Sequence, residues 1–121
     1  MDIDTLREYL DDPPKATPWL QRLGIADVRR AHANLLALAQ GRLTLDILAA
    51  ICDQLERHLP ATADPEMALN NLDRFVAEAR NPLSLGALFE RDPSALPPLL
   101  QIFSTSQHFS DLLILDPEAY D

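Results

Sequence analysis

This chain has little cysteine, glycine, tryptophan or basic charge, and each scarcity removes a class of protein. Cys52 is the sole cysteine, so no internal disulfide can staple the fold. There is neither a signal-peptide pattern nor an apolar run of membrane-spanning length, and a reducing cytoplasm is the expected setting. Gly24, Gly41 and Gly86 stand apart from one another. That spacing excludes the clustered-glycine loops whose backbone N–H groups cradle phosphates, so no nucleotide site can be placed. Ten Lys and Arg stand against nineteen Asp and Glu, a net charge of −9. A nucleic-acid backbone or an anionic membrane would call for a clustered basic face, and both are excluded as main partners. The imbalance is uneven: residues 1–60 carry nine acids and seven bases, residues 61–121 ten acids and three bases.

What is abundant is leucine, alanine and proline. The 121 residues are 47 % hydrophobic, enough for a core in one domain spanning 1–121, and the scarcity of β-branched residues makes the composition helical. The ten prolines mark boundaries. Ile3, Leu6 and Leu10 give a short first helix, and Asp11-Asp12-Pro13-Pro14 predicts a loop. Thr17-Pro18 predicts the next start, with Trp19 as an anchor at the core's edge and Gly24 as the stop. Val28, Ala31, Leu35 and Leu38 predict a helix from Asp27 to Gln40, ended by Gly41. Thr44 caps another whose wide stripe, Leu45 through Leu59, implies several neighbours and makes Cys52 a core residue. Asp64-Pro65 opens a helix to about Ala79; Ser84 caps a shorter one over 85–91; Asp92-Pro93 gives one turn before a helix from Pro97, with Leu99, Leu100 and Phe103 inward. Ser104 with Gln107 matches a capping box for a last helix over 105–115, with Phe109, Leu112 and Leu113 on its apolar side. The expected architecture is all-α, a compact array of about seven or eight short helices without a sheet.

Three groups of polar residues are candidates for chemistry. Ser104, His108 and Asp111 fall at i, i+4 and i+7, a shared helix face whose side chains run parallel and do not converge as nucleophile, base and orienting acid must. His32, His58 and His108 lie in different predicted helices without zinc-site spacing. The acids Asp11-Asp12 and Asp116/Glu118 are expected at loops and helix starts, where negative charge meets the positive end of the dipole, and Arg29-Arg30 reads as a solvated face. No catalytic, cofactor-binding or metal-binding residue is assigned, and no cofactor is expected for this chain.

The phrases Asp64-Pro65-Glu66-Met67-Ala68-Leu69-Asn70-Asn71-Leu72-Asp73-Arg74-Phe75, Asn81-Pro82-Leu83, Leu88-Phe89-Glu90-Arg91-Asp92-Pro93, Phe103 to Ile114 and Asp116-Pro117-Glu118 form a series. Over residues 64–121 that series resembles the N-terminal region of the glutamine synthetase (glutamate-ammonia-ligase) adenylyltransferase/deadenylyltransferase family. Members attach AMP to glutamine synthetase and remove it in response to nitrogen status, through two nucleotidyltransferase domains with Gly-Ser and Asp-x-Asp motifs. This chain has no Gly-Ser, and its one Asp-x-Asp, Asp2-Ile3-Asp4, lacks the strand-and-loop context, so no catalytic residue carries over. The resemblance implies a non-catalytic helical lead-in to a downstream catalytic domain, in a longer cytoplasmic protein using ATP and Mg. The helix start at Asp116-Pro117, with four residues after it, fits that expectation. The implied partners are that domain and glutamine synthetase, with a homodimer through an exposed apolar face near Leu112–Leu115 as a further expectation. The rival reading is a self-contained helical protein–protein interaction module. Its Asp-Pro spacings, 28 and 24 residues, are too uneven for a true repeat.

Overall fold

The computed structural model describes residues 1–40 and 43–117. Among them are eight helices and no strand: α1 (Ile3–Asp11), α2 (Pro13–Arg22), α3 (Val28–Ala39), α4 (Leu45–His58), α5 (Pro65–Glu78), α6 (Pro82–Arg91), α7 (Leu96–Thr105) and α8 (Gln107–Leu115), with a single 3-10 turn at Leu59–Ala61. The fold is all-α. Gly41 and Glu118, and the helix expected beyond Pro117, lie outside the described residues.

Capping side chains account for most of the starts. Asp2, Asp27, Thr44 and Asp64 accept from the backbone N–H of Thr5, Arg30, Ile47 and Met67, satisfying donors that the first turn leaves orphaned. Three starts differ from expectation. No loop follows Asp12: α2 begins at Pro13, because a proline at the first helical position forfeits only an orphan donor. Thr17-Pro18 is therefore inside α2, where the Thr17 hydroxyl donates to the Pro13 carbonyl and Pro18 has no N–H to offer the exposed Pro14. Asn81, not Ser84, caps α6, accepting from the Ser84 N–H, so that helix opens three residues early at Pro82. Ser106, not Ser104, caps α8, accepting from the Phe109 N–H at 3.1 Å.

Packing converges on α5, which touches α3, α6, α7 and α8, while α4 is shared by α1, α3, α6 and α7. Phe75, Phe89 and Phe103 are fully buried, and the Phe75 and Phe103 rings meet tilted at 5.5 Å. Gly86 lets α6 lie close on α4, since a Cβ there would come within 2.7 Å of Ile47 Cγ2 and Leu43 Cδ2. Trp19 is buried with its indole N–H donating to Glu56 at 2.6 Å, the edge position expected of an anchor.

Three helix ends share a rule. At Asp12, Asp92 and Ser106 the chain turns extended, and each backbone N–H donates to the carbonyl four residues back, of Glu8, Leu88 and Ile102. The very next carbonyls belong to Tyr9, Phe89 and Phe103. For the first two the helical partner would be Pro13 and Pro93, which have no N–H. A buried side chain from a different helix takes each one: His32 Nε2 lies 2.8 Å from Tyr9 O, Gln54 Nε2 donates to Phe89 O at 2.7 Å, and Asn71 Nδ2 donates to Phe103 O at 2.9 Å. The carbonyl can only accept, so His32 carries its proton on Nε2. These contacts explain polar residues that would otherwise be expensive inside a core.

Asn71 also donates to Gln107 and accepts from Gln107 and Arg74, whereas the buried Gln54 Oε1 has no partner. Replacing Asn71 by Leu should therefore destabilise the chain by about 2 kcal/mol, because it orphans a buried carbonyl and breaks a satisfied network. Gln54→Met removes one unsatisfied atom as it creates another and should lower stability by less. Urea denaturation of the two variants measures the difference, and an equal or reversed order would contradict it.

Candidate functional site

The structure separates the serine, histidine and aspartate that the sequence places at helical spacing. Ser104 belongs to α7, is buried, and spends its hydroxyl on the Gln101 carbonyl at 3.0 Å. His108 and Asp111 belong to α8. His108 is exposed, its ring 5.7 Å from that of Phe109. Asp111 accepts from Gln107 at 2.7 Å and Arg74 at 3.1 Å, and these bonds hold its carboxyl below the usual range. The three share no helix face, because the helix break falls at Ser106. They form no nucleophile–base relay.

The remaining groups are equally committed. His32 is buried against α1, His58 ends α4 half-buried, and His108 faces outward. No group of three or more His, Cys, Asp or Glu could hold a metal among the described residues. Burial pushes the Cys52 thiol up to about 12, so it stays protonated and is a core residue without nucleophilic character. Asp12 links α1 to α2 without a side-chain cap bond, and Arg29 and Arg30 are exposed on α3. No helix among the described residues is long and apolar enough to cross a membrane.

Two open clefts are large enough to admit a ligand. A groove of about 370 Å³ between α3, α5 and α8 is lined by Arg30, Asp64, Glu66, Asn70, Asn71, Arg74 and Gln107. Its polar atoms tie helices together: Glu66 accepts from the N–H groups of Ala26 at 2.6 Å and Asp27 at 2.5 Å, and Asn70 accepts from Asn34 at 2.5 Å. A wider cleft of about 730 Å³ runs along α6 and the turn after it, lined by Ser84, Leu88, Arg91, Asp92 and Ser94. Asp92 there is held by Ser94, whose hydroxyl and N–H lower its carboxyl below the usual range. Neither cleft assembles a nucleophile, base and oxyanion donors around one point.

What stands out is the outer side of α8. Its anchors are Ser110 and Ile114, both buried, with Leu113 half-buried. The Ser110 hydroxyl lies within hydrogen-bond reach of Ser106 O at 2.6 Å and Ile102 O at 3.2 Å, which lets a serine sit at the α7–α8 contact. Sequence reasoning placed Phe109, Leu112 and Leu113 on one apolar side of the last helix and expected an exposed apolar face near Leu112–Leu115. The structure turns Phe109 (60 % exposed), Leu112 (51 %) and Leu115 (81 %) to solvent and leaves Leu113 half-buried. A side chain that can satisfy its own hydroxyl against local carbonyls is the one signal that marked Ser110 as buriable. Comparison with family models, curated proteins and solved structures finds no match for the chain.

Because hydrogen bonds from Gln107 and Arg74 favour the charged form of Asp111, that group contributes stability fully present above its unfolded value of 3.8 and lost as pH falls through its lower folded value. Asp111→Asn should flatten the fall in urea midpoint below about pH 4 relative to the parent chain. Parallel acid limbs for the two proteins would show that the Arg74–Asp111–Gln107 contact carries no linkage.

Proposed function

We propose that this chain is a non-catalytic helical segment of a glutamine synthetase adenylyltransferase-like regulator of nitrogen metabolism, supporting or positioning a downstream nucleotidyltransferase domain. The observation that carries the reading is the ordered series of motifs over residues 64–121. Its polar members have structural tasks that suit a scaffold: Asp64 and Asn81 open helices, and Asn71, Arg74, Gln107 and Asp111 join α5 to α8. The outward apolar face of α8 supplies a surface on which another domain could rest. In this reading the ATP and Mg chemistry belongs to the downstream domain, and glutamine synthetase is the substrate of the whole protein.

A self-contained helical interaction module would use the same face. Its solenoid form is disfavoured by the uneven Asp-Pro spacings of 28 and 24 residues.

The reading frame encoding this chain distinguishes the two. A Gly-Ser and Asp-x-Asp nucleotidyltransferase signature should follow residue 121. The longer protein should then transfer AMP from ATP to glutamine synthetase, and residues 1–121 alone should transfer none. A stop codon after Asp121, or AMP transfer by the isolated chain, would overturn the proposal.

A further inference from the structure

We draw no further inference here: the strongest candidate, the exposed apolar side of α8 formed by Phe109, Leu112 and Leu115, carries nothing because nothing in the structure shows what covers it.

Discussion

Short helices leave carbonyls bare at their ends, and this fold depends on how three of them are closed. After Glu8, Leu88 and Ile102 have found backbone donors, the next carbonyls, of half-buried Tyr9 and fully buried Phe89 and Phe103, still need partners. His32, Gln54 and Asn71 supply the donors from α3, α4 and α5. A chain broken by proline so often would otherwise bury unpaired groups at each break, at a penalty of roughly 1–3 kcal/mol apiece. The closures also fix register: a helix that slid by one residue along its neighbour would present the wrong carbonyl to the amide. Leucine-rich surfaces alone cannot choose a register so sharply.

The same closures organise the packing that leaves α8 outermost. Asn71 on α5 joins Phe103 at the end of α7 to Gln107 at the start of α8, and Arg74 one turn on reaches Asp111. With α8 held through Ser110 and Ile114 on one side and the Arg74 contact on its flank, Phe109, Leu112 and Leu115 are turned outward. Polar bonds at the edges of α8 thus settle which hydrophobic stripe is buried.

Much of this fold was legible in the sequence because its grammar is local. Asp2, Asp27, Thr44 and Asp64 read directly as caps, and prolines marked boundaries. Two of the misreadings share one cause: two potential caps stood close together, and only the carbonyl accounting of the preceding helix separates them. Ser104 lost to Ser106 because α7 runs through Thr105, and Ser84 lost to Asn81 because Pro82 already fits the first helical position. The tasks of His32, Gln54 and Asn71 could not be read at all, since each partner lies 23 to 35 residues away in the chain. The outward stripe of α8 was legible as an exposed apolar face near Leu112–Leu115, but not residue by residue. Leu112, Leu113, Ile114 and Leu115 are consecutive, and an unbroken apolar run does not disclose which of its members faces the core.

The helical lead-in that the motif series suggests presupposes that these helices are locked in one arrangement. That premise is best tested by the exchange of side-chain amide protons of Gln54 and Asn71 with solvent, followed by nuclear magnetic resonance. If those protons close the buried carbonyls of Phe89 and Phe103, they should exchange as slowly as backbone amides in the middle of α5. Exchange as fast as that of an exposed side-chain amide, with the backbone of α5 still protected, would contradict the account.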